Sequence, residues 1–156
     1  MKVSDILRVK GGTLCTTTPE DSLADAAGLM AEKDIGSLVV ISNGRVVGML
    51  TFREVIIAVV KNGGAFGTTS VYRAMDNGPL ICTMETEMDE VRRMMLDRHA
   101  RYMPVMDKGM LMGVISFYDV AKTVVDSQNF ENKMLKAYIR DWPEGEDDTP
   151  ADNAKG

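Results

Sequence analysis

The sequence predicts an α+β protein in which two β-α-β-β-α repeats pack together as one module. The main observation is a seven-residue pattern, GMLTFRE at 48–54, that returns 65 residues later as GVISFYD at 113–119. In each copy an apolar strand follows a glycine and ends in Thr or Ser. A carboxylate three positions later then precedes an apolar helical stretch. A repeat of about 55 to 60 residues buries too little surface to be stable alone, so two are expected to share a core.

The first repeat contains clear start and stop signals for its helices and strands. Ser22 is a suitable N-cap, and an apolar run beginning at Ile35 predicts a strand covered on both faces. Asn43-Gly44 is a strong signal for a tight hairpin. The predicted order is helix or turn, strand, helix, strand, strand and helix, at residues 1–8, 14–17, 22–33, 35–41, 45–50 and 55–61.

The second repeat restarts the same order after a glycine-rich stretch. Thr86 is the predicted N-cap of its central helix, and Lys108-Gly109 is the predicted turn of its hairpin. The helix after the second pattern is expected to continue or restart at 128–140. The predicted elements before it lie at residues 71–75, 79–83, 86–95, 102–106 and 110–115.

These signals divide the chain into five regions. They are repeat 1, a glycine-rich linker, repeat 2, a C-terminal helix and an acidic tail expected to be disordered, at residues 1–62, 63–70, 71–127, 128–142 and 143–156. The chain has a net charge of −5, and six acids and one base after residue 140 account for it. Residues 1–140 carry 17 bases and 17 acids, so the body is formally neutral.

Composition and charge exclude several function classes. A neutral body lacks the basic surface expected of a nucleic-acid-binding protein. No apolar run approaches the roughly 20 residues needed to span a bilayer, and the N-terminus does not begin a signal peptide, so a cytoplasmic protein is expected. A metal site is not expected, because Cys15 and Cys82 form no CxxC motif and the chain has one histidine, His99.

The two repeated patterns offer groups that could bind a nucleotide. The first turn of a helix has unpaired backbone N–H groups that attract phosphate, and Thr51 or Ser116 adds a hydroxyl beside them. The carboxylates of Glu54 and Asp119 could accept hydrogen bonds from the 2′ and 3′ hydroxyls of a ribose. Apolar residues of the neighbouring strands could enclose the base.

The same residues also fit a purely structural interpretation. Thr-x-x-Glu and Ser-x-x-Asp before an apolar run form a capping box, which satisfies a helix N-terminus without a ligand. Duplication does not separate the two interpretations, because a duplicated fold also duplicates its caps. The pattern alone leaves both open.

Several segments together resemble a pair of CBS domains, also called a Bateman module. They are TPEDSL at 18–23, MAEKDIGSLVV at 30–40, GMLTFRE at 48–54, MPVMD at 103–107 and GVISFYD at 113–119. The resemblance implies two repeats related by a pseudo-two-fold axis, with adenine nucleotides bound in clefts between them. It also implies assembly into homodimers.

The resemblance further assigns roles to individual positions. Thr51 and Ser116 would contact phosphate, Glu54 and Asp119 would hold ribose, and Arg53 and Tyr118 could reach either. The remaining implied site residues are Thr16, Ile35, Gly36, Ser37, Ile81, Ala100, Arg101, Tyr102 and Pro104. Among these, Ile35 and Ala100 would line adenine, and Arg101 would contact phosphate.

The two implied sites are not expected to be equivalent. Glu54 is one methylene longer than the family's usual Asp, and Gly36 stands where the second repeat has Arg101. The Asp119 site is therefore expected to bind a monophosphate more tightly than the Glu54 site. Near Arg101, Arg98 and His99 are interpreted as a solvated helix end.

The expected function is that of a non-catalytic regulatory module that senses energy or redox state. With few cations in a neutral body, fewer phosphates are favoured, hence AMP or NAD(H) over ATP. ADP and S-adenosylmethionine are further alternatives. The output would pass through a homodimer or an unidentified protein partner. The alternatives are a structural or partner-binding module with vacant sites and an enzyme, although no base–nucleophile pair or P-loop is present.

Overall fold

The computed structural model describes residues 1–11 and 14–140. In this part of the chain six helices alternate with two groups of three strands. The elements are α1 Val3–Lys10, β1 Thr16–Thr17, α2 Leu23–Lys33, β2 Ser37–Ser42, β3 Arg45–Thr51, α3 Phe52–Lys61, α4 Val71–Ala74, β4 Cys82–Thr83, α5 Met88–Arg98, β5 Tyr102–Asp107, β6 Met110–Ser116 and α6 Phe117–Arg140. The predicted α+β class and the two β-α-β-β-α repeats are confirmed.

Each repeat forms its own three-stranded sheet, ordered β1-β2-β3 and β4-β5-β6. The first strand pairs parallel to the second, and the second pairs antiparallel to the third. The register of β2 and β3 shifts after Val40, and that of β5 and β6 shifts after Val105, which is the same position 65 residues on. The two sheets are therefore equivalent down to their irregularities.

Local backbone chemistry explains the hairpins. Asn43 and Gly44 have φ of 52° and 77°, and Lys108 and Gly109 have φ of 51° and 81°. Left-handed conformations at both central positions match the twist of the flanking strands, which is why Asn-Gly favours this turn. Both predicted hairpins are confirmed.

The two central helices begin differently. The Ser22 hydroxyl accepts a hydrogen bond from the Asp25 N–H at 3.0 Å, which confirms the predicted cap of α2. The cap predicted at Thr86 is wrong, because the N-cap of α5 is Glu87, whose side chain makes no capping hydrogen bond. The Thr86 hydroxyl instead accepts from the Thr83 N–H at 3.0 Å and closes the turn after β4.

The two hydrophobic cores exchange their short helices. Val3 of α1 is fully buried in the core of the second repeat, and Val71 of α4 is fully buried in the core of the first. The Val3 N–H donates to the Thr86 carbonyl, and the Val71 N–H donates to the Asp21 carbonyl, both at 2.9 Å. These equivalent backbone hydrogen bonds attach each short helix to the opposite repeat, so the two repeats form one structural unit.

The glycine of the repeated pattern makes room for the exchanged helix. A Cβ at Gly48 would lie 2.7 Å from Met75 Sδ and 2.8 Å from the Asp76 carbonyl oxygen. A Cβ at Gly113 would lie 3.0 Å from a methyl carbon of Leu7. Glycine at Gly113 lets α1 lie directly on β6, and glycine at Gly48 lets the segment just after α4 lie directly on β3.

The cysteines are free thiols inside the repeats. Cys15 is half-buried and Cys82 is buried, as expected from the sequence. Burial raises the pKa of the Cys82 thiol to about 11. Because the thiolate is the reactive form, Cys82 is expected to be inert at neutral pH.

The chain divides into two compact units, Met1–Val120 and Ala121–Gly156. The first unit contains both sheets and both cores. In the second unit, α6 continues without a break to Arg140, so the helix after the second pattern does not restart at residue 128. None of the described helices is long and apolar enough to cross a membrane. Residues 141–156, including the predicted tail, lie outside the described part.

Candidate functional site

A cleft of about 910 Å³ lies between the two repeats within the first unit. One wall is the junction between β3 and α3, and the other is the connection between α5 and β5. The segment between α4 and β4 supplies the remaining side. The lining residues are Met49, residues 51–54, Ile56, Ile57, Asp76, Pro79, Leu80 and residues 98–102.

The first wall presents a carboxylate at the start of α3. The Thr51 N–H donates to Glu54 Oε1 at 2.8 Å, and the Thr51 hydroxyl donates to the same oxygen. Glu54 Oε2 accepts a longer bond of 3.3 Å from the Arg53 guanidinium, whose side chain is 74% exposed. Glu54 thus caps the helix with one oxygen and meets a solvent-exposed arginine with the other.

The second wall presents cations. Helix α5 ends at Arg98, and His99 turns the chain toward β5 by adopting a left-handed conformation with φ of 56°. Asp34 takes the same role in the first repeat, with φ of 55°. Arg98 and His99 line the cleft together with Arg101, so they are more than the solvated helix end that the sequence favoured.

Aromatic rings from both repeats meet beside Gly36. A Cβ at Gly36 would overlap the hydroxyl of Tyr102 and lie 3.1 Å from Cε2 of Phe52. The Phe52 N–H also donates to the Gly36 carbonyl at 3.3 Å. Both rings line the cleft, and the missing side chain at residue 36 is what allows Tyr102 to reach across from the second repeat.

The second copy of the pattern has different surroundings. The Ser116 N–H donates to Asp119 Oδ2 at 2.8 Å, and the Asp119 N–H donates to the Ser116 hydroxyl at 3.1 Å, which is a complete capping box. The ammonium of Lys10, at the end of α1, also donates to Asp119 Oδ2, at 2.7 Å. The Asp119 side chain is 13% exposed.

The cleft brings together some of the residues that the sequence singled out and leaves others apart. Those lining it are Thr51, Arg53, Glu54, Ala100, Arg101 and Tyr102. The others are not among its lining residues: Ile81 and Tyr118 are exposed, Thr16 is exposed on β1, and Pro104 is buried in β5. Gly36 lies behind the two aromatic rings, between Ile35 and Ser37, and Ser116 and Asp119 lie at the second copy of the pattern.

Arg101 lies beside both copies of the pattern: it lines the cleft with Glu54, and its carbonyl accepts a hydrogen bond from the Phe117 N–H at 2.8 Å. The ranking of the two sites stays a prediction. Arg101 lines the cleft with Glu54 because the α5–β5 connection of the second repeat faces the β3–α3 junction of the first. Aligning the repeats shows which residues are equivalent, but not which repeat supplies each wall.

Sequence reasoning missed several lining residues. Phe52 belongs to the repeated pattern, and Ile56 and Ile57 belong to the helix after it. The sequence does not show that these side chains are exposed on that helix and line the cleft. Asp76, Pro79 and Leu80 line the cleft because they follow α4, which packs on the first repeat. No local signal in the sequence indicates this exchange of helices. Among the described residues, no group of three His, Cys, Asp or Glu side chains could hold a metal ion.

Comparison with known proteins agrees with this architecture. The family model described as CBS domain matches twice, at residues 13–61 and 71–126. The chain belongs to the CBS-domain family. The CBS domain-containing protein CBSX3, mitochondrial, of Arabidopsis thaliana is 31% identical over 148 residues, covering 88% of this chain and 71% of that protein.

Solved CBS-domain proteins share the fold. A CBS-domain-containing protein from Agrobacterium tumefaciens is 34% identical with a TM-score of 0.75, and the match covers 79% of this chain and 98% of that one. A protein with CBS domains from Burkholderia ambifaria is 33% identical with a TM-score of 0.77, and the match covers 82% of this chain and 96% of that one. The resemblance to a CBS-domain pair is therefore confirmed.

Proposed function

We propose that this CBS-domain protein is a non-catalytic regulatory module that binds an adenine nucleotide in the cleft beside Glu54. The observation that carries the proposal is the arrangement of that cleft. It sets a carboxylate at a helix N-terminus opposite Arg98 and Arg101, with two aromatic rings between the repeats. Ribose, phosphate and base each have a matching group.

The ribose is proposed to bind Glu54. Oε2 of this carboxylate holds only the 3.3 Å bond to Arg53 among the hydrogen bonds assigned to it, and that arginine is exposed enough to move aside. A ribose hydroxyl donating to a carboxylate makes a charge-assisted hydrogen bond of about 1.5–3 kcal/mol. Rotation of the Thr51 hydroxyl would release a second lone pair on Oε1.

The phosphate is proposed to lie between the start of α3 and the cations of the other wall. The first N–H groups of α3 already donate to the Gly36 carbonyl and the Thr51 hydroxyl, so this helix start would favour an anion through its partial positive charge. Arg101 and Arg98 provide guanidinium groups, which match phosphate oxygens in geometry and charge. A phosphate here would contact both repeats and so connect them.

The base is proposed to lie against the apolar part of the cleft. Tyr102 and Phe52 offer ring faces, and Leu80, Ile56 and Ile57 add aliphatic surface. The cleft volume of about 910 Å³ lies within the usual range of roughly 300–1,000 Å³ for ligand pockets, so a whole nucleotide can be accommodated.

AMP is the ligand we favour within this class, and NAD(H) is the next candidate. A solved protein of the same fold, CBSX2, is in complex with AMP, at 23% identity. Another CBS-domain pair of the same fold is in complex with 5′-methylthioadenosine and S-adenosyl-L-methionine, at 19% identity. The two guanidinium groups on the second wall, Arg98 and Arg101, keep ADP and ATP among the ligands to be tested.

The second candidate function is a structural or partner-binding module with an empty cleft. One observation favours it, because both carboxylates already serve as capping-box acceptors: Glu54 receives the Thr51 N–H and Asp119 receives the Ser116 N–H. Under this alternative the repeated pattern maintains two helix starts and nothing more.

Thermal unfolding with a panel of ligands separates the two functions. At 100 times its Kd a ligand adds about 2.7 kcal/mol to stability, so AMP, NAD, ADP, ATP or S-adenosylmethionine is expected to raise the melting temperature by several degrees. GMP is the control for the base, and the Glu54→Gln variant is the control for the carboxylate. If no adenine compound shifts the melting temperature of the wild-type protein, the module with an empty cleft is the better description.

We further propose that the protein acts in the cytoplasm as a homodimer, with or without a separate protein partner. Supporting this, α6 carries exposed apolar side chains at helical spacing. They are Phe130, Met134, Leu135, Tyr138 and Ile139, each more than half exposed. An apolar helical stripe of this kind is typical of surfaces that pack against another protein.

A further inference from the structure

Lys10 makes two contacts at the second copy of the repeated pattern. Its ammonium donates to Asp119 Oδ2 at 2.7 Å and to the Val114 carbonyl oxygen at 2.8 Å. The Lys10 side chain is 39% exposed, and that of Asp119 is 13% exposed. The carboxylate is therefore largely covered while the ammonium is exposed to solvent, and the second hydrogen bond, to the Val114 carbonyl, helps to hold the lysine in place.

These contacts fill the hydrogen-bonding capacity of one carboxylate oxygen. An oxygen of an ionised carboxylate offers two lone pairs, and Oδ2 of Asp119 already accepts from the Ser116 N–H and from Lys10. A vicinal diol needs one acceptor position on each of the two oxygens. A ribose hydroxyl would therefore have to displace the Lys10 ammonium from Asp119. It could not bind to that ammonium by donating a hydrogen bond, because an ammonium has no acceptor.

The first copy of the pattern lacks this lysine. Helix α1 runs to Lys10, whereas α4 ends at Ala74, so the first repeat has no helical position that matches Lys10. The cation nearest Glu54 is Arg53, which is 74% exposed and makes one bond of 3.3 Å. The two carboxylates thus differ in how firmly a cation holds them.

We infer that Lys10 occupies the Asp119 site as an internal substitute for the ribose contact, and that the chain therefore binds one adenine nucleotide rather than two. This inference rests on the proposed function, because it assumes that a ribose would bind these carboxylates. Lys10 is then the residue that sets the number of nucleotide sites in the chain. The helix exchange makes this possible, since it brings the end of α1 to the second repeat.

Counting sites by isothermal titration with AMP tests the inference. The wild-type protein is expected to bind one AMP per chain, and the Lys10→Met variant is expected to bind two, with the second site at Asp119. The Lys2→Met variant is the matched control. Lys2 precedes the same helix and pairs with the exposed Glu85, so this variant is expected to keep one site. Circular dichroism of each variant confirms that it is folded before titration.

The outcomes separate this inference from the proposed function. If the wild-type protein binds two AMP molecules, or if Lys10→Met binds one as the wild type does, Lys10 does not set the number of sites. If no variant binds AMP or any other adenine nucleotide, the proposed function fails and the inference fails with it. If only Lys10→Met binds, the block by Lys10 stands and the assignment of the Glu54 cleft is overturned.

Discussion

Replacing Arg101 with Ala is expected to weaken the binding of AMP by roughly 10- to 100-fold. Arg101 lines the cleft opposite Thr51 and Glu54, where the phosphate of a bound nucleotide is proposed to lie. A hydrogen bond between a guanidinium and phosphate contributes about 1.5–3 kcal/mol, and each 1.4 kcal/mol changes the affinity tenfold. Isothermal titration with AMP measures the effect directly.

Two controls make the Arg101 experiment specific to phosphate. Adenosine has no phosphate, so its affinity is expected to change less than threefold in Arg101→Ala. Arg92 lies on α5, the helix that precedes Arg101, but it does not line the cleft. Its guanidinium lies 4.0 Å from Asp89 Oδ1. Arg92→Ala is expected to bind AMP like the wild type. An equal loss for adenosine and AMP would place Arg101 outside the phosphate site.

Replacing Val3 with Asp is expected to destabilise the protein by at least about 3 kcal/mol. Val3 is fully buried in the core of the second repeat, where it packs among residues such as Met103 and Ile115. The substitution removes a packed side chain and places a carboxylate where no water or cation can reach it. Urea unfolding followed by circular dichroism gives the change in the free energy of unfolding.

Val9→Asp is the matched control for Val3→Asp, because it makes the same change in the same helix. Val9 is 86% exposed, so the expected loss is within about 1 kcal/mol, most of it from an acid near a helix C-terminus. Hydrogen exchange locates the damage: amides of β5 and β6 are expected to lose protection before those of β2 and β3. Equal losses in stability from the two variants would contradict the helix exchange.

Much of the fold follows from local chemistry that the sequence displays. Asn43-Gly44 can adopt the left-handed pair of conformations that a tight hairpin needs, and Ser22 carries a hydroxyl where a helix begins. The 65-residue repeat then predicts the second half from the first. Thr86 shows where such reasoning fails, because its hydroxyl serves equally well in the turn just before the helix.

The candidate site was only partly predictable, because its walls come from distant parts of the chain. The repeated pattern pointed to Thr51 and Glu54 from spacing alone. Nothing local indicates that Arg101 faces them from the other repeat, since alignment of two repeats does not say how they dock. Lys10 and Asp119 are 109 positions apart, and their contact depends on which core receives α1.

The structural interpretation of the repeated carboxylates is realised at both copies of the pattern. The capping boxes at Thr51 and Ser116 are complete, so the structural role is present. A cap does not prevent ligand binding at Glu54, because Oε2 meets only an exposed arginine among the contacts assigned to it. At Asp119, by contrast, the cap and Lys10 act on the same oxygen.

A crystal structure of the protein grown with saturating AMP tests the central claim most directly. The account predicts one AMP in the cleft between the repeats, with a ribose hydroxyl within hydrogen-bond distance of Glu54 and the phosphate near Arg101. It also predicts that Lys10 remains on Asp119. An empty cleft at saturating AMP, or AMP bound at Asp119 with Lys10 displaced, would contradict it.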